Sequence, residues 1–230
     1  MEELLTRQAA SEAVQDDGWR YLLGTLRTAV AVDSPARAAG LVAAAVEVCG
    51  ENAAGHLGID LRADRVEFTV QSLDRSAVTV HDVELAHRIS AAVRAAGLEP
   101  RPGVGTGESR SVQRLEIAVD ALDIPGVRPF WKAVFGYQDE PGSTEPTDAV
   151  ADPYGQGPTI WFQQMDEPRP QRNRIHFDLC VPHDEAPGRL AAALAAGGRL
   201  VSDGSAPAFW VLADAEGNEV CITTWQGRDG

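Results

Sequence analysis

Between Glu99 and Ser111 the chain reads E-P-R-P-G-V-G-T-G-E-S-R-S, with two prolines, three glycines and no apolar periodicity. Such a stretch neither sustains a helix nor alternates as a strand, so it reads as a linker. It divides the 230 residues into two halves. The organisation expected is a domain over residues 1–100, a linker over 101–111 and a second domain over 112–230. Each half, at roughly 100 residues, is long enough to bury a modest core.

Both halves carry regular patterning. In the first, Ser34-Pro35 starts a helix, with serine as N-cap and proline at the first helical position. Leu41, Ala45 and Val48 are expected to share its inner face. Residues 64 to 71 alternate: Val66, Phe68 and Val70 face one way, Arg65, Glu67, Thr69 and Gln71 the other. That is the pattern of a half-buried antiparallel strand. Thr79 and Asp82 form a capping box with Asp in place of Glu, opening a helix that ends at Gly97. The second half repeats a unit. A strand over 115–121, a helix over 125–135 and strands near 137, 148 and 159–164 are followed by a strand over 174–181, a helix over 184–196 and strands near 199, 209 and 218–224. The fold class expected is therefore α+β. An antiparallel sheet packed with helices precedes two tandem βαβββ modules.

Charge narrows the partners. Acidic residues outnumber basic ones 34 to 20, a net charge of −14, and Lys132 is the only lysine. Phosphate-backbone binding needs clustered cations, so no nucleic-acid partner is expected. No apolar run reaches the ~18 residues of a membrane span, and the acidic N-terminal segment does not read as a secretory signal. Three cysteines, Cys49, Cys180 and Cys221, with no CxxC pair argue against a disulfide framework or a structural zinc knot. A cytoplasmic protein with a small-molecule partner is expected.

Strand parity gathers the chemistry. Glu116, Ala118 and Asp120 share one face of their strand; His176, Asp178 and Cys180 share one face of theirs; Glu219 and Cys221 lie together on the last strand. With helices behind the sheet, these side chains turn to its open side. If the two modules close into a trough, Glu116, His176 and Glu219 or Cys221 meet in it, with Gln163 and Trp161 along the wall. Imidazole and carboxylates so placed suit a first-row metal or an acid–base pair; a solvated sheet face is the plain alternative.

The second half resembles the glyoxalase-like branch of the vicinal oxygen chelate superfamily. The residues that carry the likeness are Leu115–Asp120, Pro129–Trp131 with Phe135–Tyr137, Asn173–Asp178 and Asp214–Glu219, within residues 112–226. The resemblance implies paired βαβββ modules around a cleft that often holds one divalent metal. It places ligand positions at Glu116, His176 and Cys221, with Gln163 at the first module's carboxylate position and Glu219 one pleat before Cys221. Only His176 is the usual residue type, so a metal-free cleft, with Glu116, Asp178, Gln163 and Glu219 contacting the ligand, stands beside a metal set of Glu116, His176 and Cys221.

The first half, over residues 4–97, resembles pterin-4a-carbinolamine dehydratase in Gly18-Trp19, the helix from Ser34, Gly55-His56-Leu57, Val66–Val70, and Val78–Asp82 followed by Leu85-Ala86. That family dehydrates 4a-hydroxytetrahydrobiopterin with a His-His-Pro turn and a third His. Here those positions hold Gly55, His56, Leu57 and Leu73, so one imidazole of three is kept, together with Asp82. His81 and His87 are expected to be exposed and to replace neither missing group. The resemblance implies a binding domain with His56 as a weak acid–base residue, and a homodimer. Three readings stay open: a small-molecule-binding protein with its cleft in the second half, an active lyase in either half, and a non-catalytic interaction module.

Overall fold

The computed structural model describes residues 3–104, 110–169, 171 and 175–227. It divides into two compact units, Met1–Arg114 and Leu115–Gly230.

The first unit begins with α1 (Arg7–Val14), β1 (Arg20–Leu22) and β2 (Thr25–Ala31), continues through α2 (Pro35–Cys49), β3 (Leu57–Leu61) and β4 (Arg65–Val70), and ends with α3 (Val80–Ala95) and two short strands, β5 (Gly103–Val104) and β6 (Arg110–Ser111). β1, β2, β4 and β3 form an antiparallel sheet in that order. Along β4 Val66, Phe68 and Val70 are buried and their neighbours half-buried, as the alternation predicts. Ser34 caps α2, and the Thr79–Asp82 box is complete in both directions. Trp19, Leu26, Phe68, Leu85 and Ile89 make the centre of the core.

Two expectations change, and one helix is new. Val48 lies in solvent, and Cys49 takes its place in the buried stripe with Ala38, Leu41 and Ala45. The two residues occupy neighbouring positions around the helix, and the sheet lies under the second. Burial also pushes the Cys49 thiol pKa up. The segment 101–111 is not a bare linker. Arg101 exchanges two backbone hydrogen bonds with Ala29, each 2.9 Å, and β5 pairs with β6; residues 105–109 lie outside the described residues. Helix α1, capped by Thr6, has too short an apolar repeat to be read from the sequence.

The second unit holds β7 (Glu116–Ala121), α4 (Ile124–Phe135), β8 (Gln138–Asp139), β9 (Val150–Ala151) and β10 (Thr159–Gln164), then β11 (Phe177–Cys180), α5 (Ala186–Ala195), β12 (Arg199–Ser205), β13 (Phe209–Ala213) and β14 (Glu219–Thr223). These are two βαβββ modules of one topology. Their strand orders, β7-β10-β9-β8 and β11-β14-β13-β12, correspond one for one. In each, the first strand pairs parallel to the last. β11 is shorter than the alternation suggests, and Arg174, at the expected start, lies outside the described residues.

The modules share one core, with Phe130, Trp131 and Val134 from α4 packed among Ile160, Leu212, Val220 and Ile222. Polar bonds tie them as well. Trp131 donates its indole N–H to Asp214 at 3.0 Å, and Glu216 accepts from the backbone N–H groups of Leu122 and Asp123 at the start of α4. Arg189 of α5 donates to the carbonyl of Val134 at 3.0 Å, covering a carbonyl that the last turn of α4 leaves open. Gly198 is required where it stands, because a Cβ there would come within 2.3 Å of the Phe130 ring. Among the described residues no helix is long and apolar enough to cross a membrane.

Candidate functional site

In the first unit the turn through Gly55, His56 and Leu57 is pinned to the end of β4. Gln71 donates its N–H to the His56 carbonyl, and Leu73 donates to that of Gly55, each at 3.0 Å. Gly55 has φ +77° and opens onto free space, so no side chain covers His56 from that position. The His56 ring, 14% exposed, places Nδ1 2.8 Å from Oδ1 of the fully buried Asp82. Oδ2 of Asp82 accepts from the backbone N–H and the hydroxyl of Thr79. Asp82 therefore closes the helix cap and orients the imidazole at once. A carboxylate accepts, so in this pair Nδ1 of His56 is the donor.

His81 is not exposed as expected. Its side chain is 20% exposed, its ring meets His56 edge-on at 4.9 Å, and its Nε2 lies 3.0 Å from the carbonyl of Asn52. The 3-10 turn over Gly50–Ala53 brings that carbonyl over the first turn of α3. His87 points elsewhere, to Asp17 at 2.7 Å, and Leu73 lies in solvent. Burial works to raise the Asp17 pKa, but hydrogen bonds from Arg94 and His87 outweigh it and hold the carboxyl below its ordinary range.

In the second unit the expected single trough separates into two places. The first is a cavity of about 400 Å³ whose apolar wall is Val119, Trp131, Ile175 and Phe177. Asp120, Arg169, Gln171, Asn218 and Glu219 supply its polar groups. Arg169 and Asp120 pair there at 3.2 Å. Its size falls in the range of small-molecule pockets, roughly 300–1,000 Å³. Of the residues expected to bind ligand, only Glu219 lines it. Asp120 was legible by parity with Glu116 and Ala118; Trp131 and Arg169 carry no sequence signal of their place.

The second place is the open face of β11 and β14. Asp178 stands opposite Cys221 in the ladder, and His176, two residues before Asp178, shares its face. Donor atoms of His176, Asp178 and Cys221 all lie within 4.8 Å of one another. The His176 Nδ1 is 3.3 Å from the Asp178 carboxylate and 3.8 Å from the Cys221 sulfur. Glu116 does not belong to this group: it is exposed at the start of β7, on the other module's sheet. Gln163 is exposed too, its amide 3.4 Å from the carbonyl of Gln164. Of the expected ligand positions Glu116, His176 and Cys221, the structure brings the last two together, and the parallel pairing of β11 with β14 sets Asp178, not Glu116, beside the thiol.

The family model for a glyoxalase-like domain matches residues 116–223, and that for pterin 4 alpha carbinolamine dehydratase matches residues 3–92. Among solved structures, a transcriptional coactivator/pterin dehydratase from Brucella melitensis is 22% identical, covering 39% of this chain and 98% of its own with a TM-score of 0.36. A glyoxalase/bleomycin resistance protein/dioxygenase family enzyme from Burkholderia phytofirmans PsJN is 18% identical, covering 47% and 95% with a TM-score of 0.39. A glyoxalase-related enzyme from Fulvimarina pelagi is 16% identical, covering 49% and 88% with a TM-score of 0.40. None of the curated proteins matches the chain.

Proposed function

For a chain that joins a pterin 4 alpha carbinolamine dehydratase-like domain to a glyoxalase-like domain, we propose a small-molecule-binding role whose ligand sits in the cavity of the second unit. The observation that carries this reading is the cavity's division of labour. Trp131 and Phe177 offer flat apolar surface, while one cation, two carboxylates and two amides face the same space. Such a lining suits a small molecule with a planar apolar part and both donor and acceptor groups. A strongly anionic ligand is disfavoured by the two carboxylates. Screening a small-molecule library by thermal shift on the full chain tests it. A true ligand raises the melting temperature and loses at least about tenfold in affinity in Arg169→Ala and Glu219→Ala. Ligands that bind both variants like the wild type would remove the cavity from the account.

A second reading, an active hydro-lyase in the first unit, is favoured by the His56–Asp82 bond. Two imidazole positions of the dehydratase pattern hold Gly55 and Leu73, and each proton-transfer group contributes on the order of 10²-fold or more. The binding reading therefore expects 4a-hydroxytetrahydropterin dehydration near background, unchanged by His56→Ala. Turnover well above background and abolished by His56→Ala would put the lyase reading in its place.

A further inference from the structure

We propose that Arg27 and Arg114 form a binding site for a phosphate group beside the β1–β2 turn of the first unit. The site stands apart from the cavity of the second unit, which neither residue lines.

The hairpin brings the two guanidinium groups together. Along β2 Leu26 and Val30 enter the core, so Thr25 and Arg27 fall on the face of the sheet turned away from it. β1 and β2 join through Leu23 and Gly24, whose φ angles of +46° and +77° make the tight turn of a two-residue hairpin. Arg27 donates its Nε–H to the Thr25 hydroxyl at 3.3 Å, and that hydroxyl donates to the Leu22 carbonyl at 2.6 Å. Arg114 donates to the next carbonyl along the chain, that of Leu23, at 3.1 Å. Its side chain reaches the turn because the chain doubles back before it: β5 pairs with β6, and Val112 donates to the Pro102 carbonyl at 2.9 Å. Two guanidinium groups from distant segments thus gather at consecutive carbonyls of one turn.

Charge there is unbalanced. A guanidinium stays protonated throughout the physiological range, so the pair cannot relieve its repulsion by losing a proton. Arg27 is half-buried, and burial first, then the Arg114 charge, push its pKa down while Glu67 works against them. Among the described residues Glu67 is the one carboxylate that acts on Arg27, and it already accepts from Arg65 at 2.6 Å. Arg20, opposite Arg27 in the β1–β2 ladder, adds a third positive charge but donates to the carbonyls of Gln15 and Trp19. In a chain of net charge −14 this is a local excess of cations. An anion between Arg27 and Arg114 would remove their repulsion and meet the N–H groups that the turn does not use.

The donor geometry selects the anion. A guanidinium is a planar fork that matches phosphate or carboxylate through paired hydrogen bonds. Two forks on one group favour phosphate. It carries a charge of roughly −1.5 to −2 and three acceptor oxygens, whereas a carboxylate brings a single charge and two oxygens. Free phosphate and the end of a phosphate monoester present the same chemistry to the two forks.

Calorimetric titration of the full chain with inorganic phosphate, at an ionic strength held constant with sodium chloride, tests the site. One phosphate per chain is expected, and acetate should bind at least about tenfold more weakly. Arg27→Lys keeps the charge and removes the fork. Arg114→Gln removes both at a position outside the helices and the main sheet. Each should weaken phosphate binding about tenfold or more, because the bonds lost are charge-assisted, and melting temperatures report that the fold is intact. Arg62→Gln removes an exposed arginine paired with Asp60 and should leave the affinity unchanged. Glycerol 2-phosphate separates the two sources: tighter binding than inorganic phosphate assigns the site to a monoester, equal or weaker binding to the free ion. Phosphate that binds no better than acetate, an Arg114→Gln variant that binds like the wild type, or an equal loss in Arg62→Gln would overturn the site.

Discussion

The two βαβββ modules of the second unit share a plan and differ in what they hang on it. Aligned on their apolar positions, Leu115, Ile117 and Val119 against Ile175, Phe177 and Leu179, the first strands place Glu116 where the other has His176, and Ala118 where the other has Asp178. The ladders extend the comparison: Ala118 pairs with Trp161, Asp178 with Cys221. An alanine and an aromatic in one module thus occupy the sites of a carboxylate and a thiol in the other. The backbone decides which residues meet, and residue identity decides whether the meeting has any chemistry.

The modules also repeat a turn before the last strand. Asp152 accepts from the N–H groups of Tyr154 and Gln156, Asp214 from those of Glu216 and Asn218. Only Asp214 is fully buried and takes the Trp131 indole as well. The same local device is a surface turn in one module and a cross-module tie in the other.

The sharpest way to break the comparison is at the turn that the modules share. Asp214→Ala leaves the Trp131 N–H and several loop donors without their acceptor. It should cost about 3 kcal/mol, against about 1 for Asp152→Ala, by urea denaturation. Equal losses would show that the two turns do the same work.

A pH experiment comes next. Burial and the nearby Asp152 push the Tyr137 pKa up to about 12. The unfolded chain ionises first, near 10, so this contribution is complete below pH 10 and is lost as pH rises from there toward 12. The loss should approach 2–3 kcal/mol, and Tyr137→Phe should flatten that part of the profile. The smallest effect concerns Asp139. Hydrogen bonds from Lys132 and Arg128 hold its pKa below the ordinary range. That stability is present above the unfolded value near 4 and falls away as pH drops through the lowered one. At half exposure it is worth under about 1 kcal/mol, and Asp139→Asn should remove its pH dependence.

Local signals carried much of this fold. Ser34-Pro35, the Thr79–Asp82 box and the alternation from Val66 to Val70 each act within a few residues, and the structure has all three. The repeat of strand and helix lengths also suffices to show two βαβββ modules. Non-local pairing was out of reach. Nothing near Arg101 says that Ala29 will bond to it. His81 looks like an exposed helix residue until the turn at Asn52 folds over it. Parity correctly puts Asp178 on the face of His176, but choosing Asp178 over Glu116 as the neighbour of Cys221 requires the β11–β14 register. The cavity depends on Trp131 and Asn218, far apart in the chain and joined through Asp214.

Diffraction from crystals of the full chain grown with a small molecule found by thermal shift tests the account most directly. Ligand density is predicted between Trp131 and Phe177, in contact with Arg169 and Glu219. Ligand ordered elsewhere with this cavity empty would contradict the account.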